Sequence, residues 1–316
     1  MTGSLNDTSF LTTHLNNLRI VKKYIMIKAN KTFTINFPTI TKALPQRTFV
    51  RTGTYGDGNC FIHALLRAID TGYRRQSSYS LHLKLVERFR RDITEWITPE
   101  IVKGLGNGEP LRLGFLTEFN HLLEQNYTTL SDHPSPVIRV LYQLVPKQEM
   151  DEHIIPHVLK QENFYIAFCE QVEKNIRPKL KNVQPEKVEN LCKQIHEHFI
   201  HLFQEAYKQA IDKFKNKFSR MGEYVDSTQM DCISQYTGYN FIFIQYEKDT
   251  AYPGQTHMVT FDKNLKCLIF LWIDENHFEI IGELEDRNMI NRIFDANDPL
   301  IELLSDPDNL SPLSNS

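Results

Sequence analysis

The chain has 316 residues with 36 Lys+Arg against 39 Asp+Glu, and a formal charge of −3 gives no electrostatic reason to expect a nucleic acid partner. Hydrophobic residues make up 41% and charged residues 24%, which excludes an intrinsically disordered chain and predicts one compact core carrying an insertion. The longest apolar run, residues 267–273, falls far short of the roughly 20 residues of a spanning helix, so no membrane span is expected. The N-terminus lacks the basic start and apolar stretch of a secretory signal.

Residues 1–17 are polar and expected to be flexible. From 18 to about 50 the chain is rich in β-branched and aromatic residues, which predicts two or three short strands. The loop TGTYGDGNC then brings Gly53, Gly56 and Gly58 ahead of a helix starting near Cys60, whose apolar positions Phe61, Ala64, Leu65 and Ala68 recur at helical spacing. A second helix follows over 81–97. Residues 104–220 read as almost wholly helical, with breaks at GNGEP, DHPSP and several prolines, and end in an amphipathic rod over 185–221. A short helix capped by Asp226 or Ser227 and by Gly238 comes next. It leads into the β-rich runs YNFIFIQY, HMVTF, CLIFLWI and HFEII, with Asp262-Lys263-Asn264 as a hairpin turn between the second and third. Helices first and a meander last predict an α+β fold. The acidic, Pro/Ser-rich stretch 295–316 is expected to add no more than one short helix to a flexible tail.

The five cysteines, Cys60, Cys169, Cys192, Cys232 and Cys267, are an odd set without a CxxC pair and read as thiols. His196 and His198 point about 200° apart on a helix, so the His196/His198/His201 run is not a metal site, and neither metal nor cofactor is expected.

The residues able to do chemistry begin at Asp57-Gly58-Asn59-Cys60. A cysteine at a helix start sits where unpaired N–H groups and the helix dipole lower a thiol pKa, which predicts activation by position. The glycine loop can turn backbone N–H groups inward, a nest for an oxyanion built from Asp57 to Cys60. A nucleophilic cysteine needs a histidine base, and the base needs an orienting acceptor. His257 and His277 are the two histidines in the predicted sheet. Alternation on a strand places Glu279 on the face of His277, while Asn276 and Asp274 reach the ring from the loop side.

YGDGNCFIHALLRAI resembles the signature of the ovarian tumour (OTU) family of cysteine proteases, and NHFEII resembles that family's histidine strand. STQMDCISQYTGYNFIFI resembles the helix and strand preceding it. The resemblance covers roughly 47–99 and 221–283. It implies a papain-like cysteine protease core with a central sheet flanked by helices, and a deubiquitinase acting on ubiquitin, polyubiquitin chains or a ubiquitin-like modifier. Cys60 becomes the nucleophile and His277 the base, with Asp57 to Cys60 as the oxyanion loop and Glu279 and Asn276 sharing the orienting role. His63 stands where many members carry Arg and is expected to pack beside the site. The core is then 18–103 with 221–294, and 104–220 is a helical insertion lobe resembling those of OTU-like effectors of intracellular bacteria or proteins of large DNA viruses. That likeness implies a cytoplasmic protein, in a host cell if delivered there. Acidic residues of TEFNHLLEQ and the loop 246–255 are expected to line a ubiquitin surface. A catalytically inactive ubiquitin-binding module and another Cys-His acyl-transfer enzyme are the alternatives.

Overall fold

The computed structural model describes residues 29–129, 133–158, 164–247, 249–259, 261–274, 277–285 and 289–305, without the side chains of 157 and 253–259. The fold is α+β. The chain divides into two compact units, one formed by residues through Ile101 with Lys215 onward, the other by Val102–Phe214.

Among the described residues, the first unit is built on a sheet of seven strands: β1 (Thr32–Thr34), β2 (Phe49–Thr52), β3 (Tyr239–Glu247), β4 (Thr250–Val259), β5 (Lys266–Ile273), β6 (His277–Leu284) and β7 (Ile290–Asn291). The order is β1-β2-β6-β5-β3-β4, with β7 beside β6. β3 and β5 run parallel and the other pairs antiparallel. The apolar runs of β3 and β5 are buried on both faces, the pattern of a sheet covered on each side. One face carries Phe241, Phe243, Phe270 and Phe278, packed on Phe61 with ring centroids 4.9–6.0 Å away. The other carries Ile242, Ile244, Ile269, Leu271 and Ile281 against Ile40, Phe294 and Leu304.

Helix α1 (Pro38–Ala43) lies between β1 and β2, inside the stretch 18–50 for which two or three short strands were expected. Proline at the first helical position fits a helix start, and burying Ile40 completely outweighs strand propensity. Helix α2 (Cys60–Ile69) is buried on every side from Cys60 to Ala68, its polar residues His63 and Arg67 included. Helix α3 (Tyr79–Trp96) begins two residues earlier than its periodicity suggests.

The expected meander is corrected. Asp262 does form a turn, accepting from the Asn264 amide at 2.8 Å. The strands on either side of it do not pair, because β3 lies between them and bonds to both. Part of the expected tail is ordered core: a terminal helix, Pro299–Ser305, buries Leu300, Ile301 and Leu304, and Asp298 pairs with Arg47 at 2.6 Å. The expected N-terminal segment 1–17 lies outside the described residues.

The second unit contains α4 (Glu109–Thr128), α5 (Pro136–Leu144), α6 (Phe164–Ile176) and most of α7 (Pro185–Ser219), the unit boundary falling inside α7. Its core gathers Phe119, Leu141, Phe168, Ile195 and Phe199, so the stripe of the long rod packs on neighbouring helices. The tyrosine hydroxyl of Tyr142 meets His198 Nε2 at 3.1 Å, which accounts for one member of the histidine run. Glu118, expected to line a partner surface, is instead buried and paired with Lys213 at 2.7 Å.

Candidate active site

The loop before α2 is fixed by two glycines. Gly58 has φ 83°, and a Cβ there would lie 1.9 Å from the Gly222 carbonyl oxygen. Two stretches of backbone 164 positions apart in sequence therefore touch at a point where only hydrogen fits. The contact is clamped by Asn59 and Arg90. Asn59 Oδ1 accepts from the Gly222 amide at 3.1 Å and from Arg90 Nε at 3.0 Å. Arg90, almost wholly buried on α3, also donates to the carbonyls of Phe218 and Glu223 at 3.0 and 2.7 Å. Asn59 occupies the N-cap position without capping the helix, because its side chain holds the opposite loop.

Asp57 folds back over the same turn. Its carboxylate accepts from the Asn59 amide at 2.9 Å and from the Tyr79 hydroxyl at 2.9 Å, and lies 3.0 Å from His63 Nε2. Burial pushes this carboxyl up, but bonds from His63, Asn59 and Tyr79 outweigh it and leave the pKa at about 2. The other His63 nitrogen meets the Tyr73 hydroxyl at 2.6 Å. The Asn59 amide is thus committed to Asp57, which narrows the candidate oxyanion donors in the loop to its other amides.

Cys60 opens α2 and is 2% exposed. Backbone hydrogen bonds reach its sulfur from Phe278, Phe61 and Cys60 itself and pull the thiol pKa down, the last two as a helix start should and the first from strand β6. The expected activation by position is nonetheless corrected: burial pushes the thiol up to about 11, and the nearby Asp57 charge adds to the rise. Withdrawal of a thiolate from water exceeds what three backbone dipoles return. Cys60 alkylation by iodoacetamide is therefore expected to be slow at pH 7 and to rise about tenfold per pH unit toward pH 11, since only the thiolate reacts. Peptide mapping at each pH measures it, and a plateau at Cys60 by about pH 8 would contradict a buried neutral thiol.

His277 begins β6 and is largely buried. Burial, with the Arg51 charge, holds its pKa down at about 4, Asp57 pulling the other way. Cys60 and His277 are consequently both neutral at pH 7. Nε2 of His277 lies 3.3 Å from the Thr54 hydroxyl and 3.8 Å from Glu279 Oε1. The other Glu279 oxygen takes a 2.7 Å ion pair from Arg51 of β2, whose guanidinium lies between the rings of Phe33 and Tyr246. Asp274 precedes β6 with φ 46°. Asn276 lies outside the described residues.

The fold thus brings Cys60, Asp57, His277 and Glu279 to one helix–strand junction, with the amide of Phe278 bridging from the histidine strand to the sulfur. Sequence reading missed Thr54, Arg51 and Arg90. A buried-facing arginine beside Phe89 and Ile93 on an amphipathic helix is a signal that could have found Arg90. Thr54 carries no such signal. No helix among the described residues is long and apolar enough to cross a membrane.

No family model and no curated protein matches the chain. Among solved structures, it is similar to h/ceOTUB1 in complexes with ubiquitin aldehyde and either UBCH5B~Ub or UBC13~Ub. Each is 12% identical, covering 88% of this chain and 100% of that one, with TM-scores of 0.29 and 0.30. A ceOTUB1 ubiquitin aldehyde UBC13~Ub complex is 15% identical over 78% of this chain and 85% of its own, with a TM-score of 0.25.

Proposed function

We propose that the chain is a cysteine-type deubiquitinase that hydrolyses the bond following the C-terminal glycine of ubiquitin. The observation that carries this reading is the thiol of Cys60, set at the start of α2 and bonded by the amide of the residue after His277, in the DGNC and NHF order. His277 takes the thiol proton as the sulfur attacks the carbonyl, and returns it to the leaving amine. Because both groups rest neutral, the proton moves with attack rather than before it. Backbone amides at the Asp57–Cys60 turn receive the oxyanion.

A substrate ending in two glycines suits a site walled by aromatic rings. Trp272 stacks on Phe278 at 6.5 Å, and the exposed Tyr224 lies close enough for its ionisation to feel Cys60. The unit Val102–Phe214 would then serve as an added surface for the body of ubiquitin.

The test is reaction with ubiquitin bearing a C-terminal electrophile. Covalent capture located at Cys60 is the expected result, and absence of capture by folded protein sinks the reading. One observation favours a non-catalytic ubiquitin-binding module: the sulfur is almost without solvent access. Such a module binds unmodified ubiquitin without capturing the probe.

A further inference from the structure

We infer that Thr54 is the positioning residue of His277, fixing the imidazole as the Nε2–H tautomer so that Nδ1 carries the lone pair. The inference rests on the proposed roles of Cys60 and His277 and adds a group that no motif in the chain marks.

Thr54 follows β2 by two residues and is 2% exposed. A threonine hydroxyl has one proton to donate and lone pairs with which to accept. Here the proton is assigned by geometry, since Oγ1 donates to the Phe278 carbonyl oxygen at 2.5 Å. The lone pairs are what remain for His277 Nε2 at 3.3 Å, so this contact forms when the nitrogen bears hydrogen and the hydroxyl accepts. A neutral imidazole protonated at Nε2 is unprotonated at Nδ1, which makes Nδ1 the basic atom.

The carboxylate expected to do this work is placed otherwise. Glu279 Oε1 stands 3.8 Å from Nε2, beyond hydrogen-bond reach, while its Oε2 is held by Arg51 at 2.7 Å. Glu279 therefore stabilises positive charge on the ring through space without selecting its tautomer. Arg51 opposes that charge, and Asp57 and His63 act from the α2 side. Thr54 also grips the backbone of β6 itself. One hydroxyl thereby ties the tautomer of His277 to the position of Phe278, whose backbone hydrogen bond reaches the Cys60 sulfur.

The test is two-bond ¹H–¹⁵N correlation spectroscopy on the full chain labelled with ¹⁵N-histidine, with the His277 signals assigned by their loss in His277→Gln. Wild type is expected to show the Nε2–H pattern near pH 7. A His277 proton on Nδ1 overturns the inference without any variant being needed. Thr54→Val keeps the shape and removes both bonds, and is expected to shift the ring toward a tautomer mixture. Thr54→Ser restores the wild-type pattern, and Glu279→Gln leaves it unchanged. With a ubiquitin substrate, Thr54→Val is expected to lower kcat about 10- to 100-fold with KM nearly constant, and Thr54→Ser to stay within about threefold of wild type. An unchanged tautomer in folded Thr54→Val, or its loss in Glu279→Gln alone, refutes the role. A chain inert toward ubiquitin would overturn the proposed activity while leaving the tautomer measurement to decide on Thr54.

Discussion

Cys60→Ala is expected to abolish covalent capture by a ubiquitin electrophile and to lower hydrolysis by about 10⁴-fold or more, because no neighbouring group can replace the sulfur. The fold should survive. Alanine at the first helical position keeps the backbone bonds of α2, and loss of one small buried group costs about 1 kcal/mol. His277→Ala should fall nearly as far, since a thiol with a pKa of about 11 supplies almost no thiolate at pH 7 without a base. Residues acting as a unit are not additive, so the double variant should be no worse than Cys60→Ala by more than a fewfold. Initial rates on a fluorogenic ubiquitin substrate measure all three. A His277→Ala rate within about tenfold of wild type would mean that another base serves Cys60, and His63 would be the one to replace next. Turnover by Cys60→Ala near the wild-type rate would remove the nucleophile from the proposal altogether.

What could be read before the structure follows the range of each interaction. The helix Ser227–Thr237 was fully legible: Asp226 caps it, Gln229 completes a capping box, and Gly238 ends it with φ 69°, all within thirteen residues of chain. The start of α2 at Cys60 was legible for the same reason. The separation of β4 from β5 was not, because a turn at Asp262 fixes a reversal of direction and says nothing about which strand lies alongside, and β3 takes the place that the expected hairpin gave to β4. The Cys60 thiol shows the limit within the site. Its helix-start dipoles are local and were foreseen, whereas the burial that outweighs them is a product of tertiary packing that no local pattern announces. Thr54 lies further out of reach. Its meaning depends on the direction of a single hydroxyl proton, which is set by a carbonyl 224 positions away.

Gly58→Ala is expected to be the most damaging substitution outside the reacting groups. Positive φ at a residue with a Cβ costs about 1 kcal/mol. Steric overlap costs more, for the new carbon would lie 1.9 Å from the Gly222 oxygen and 2.5 Å from its carbonyl carbon. Both atoms are backbone and cannot rotate away, so the loop at Gly222 must retreat from Asp57–Cys60. Retreat breaks the Gly222 bond to Asn59 and strains the Arg90 bonds to Phe218 and Glu223, leaving buried groups unpaired at about 1–3 kcal/mol each. A total loss of about 3–5 kcal/mol follows, with probe capture slowed about 100-fold or more as the loop amides leave their places. Two neighbours calibrate the effect. Gly222→Ala meets its nearest atom, the Asp57 oxygen, at 3.3 Å and should cost less. Gly238→Ala meets nothing within 4 Å and should show the conformational cost alone. Urea denaturation of the three variants, followed by a probe of the sheet-containing unit, should rank them Gly58→Ala, Gly222→Ala, Gly238→Ala in decreasing damage. If Gly58→Ala proved no more harmful than Gly238→Ala, the two loops would not be in contact in solution, and the clamp of Asn59 and Arg90 could not be what holds Cys60 in place.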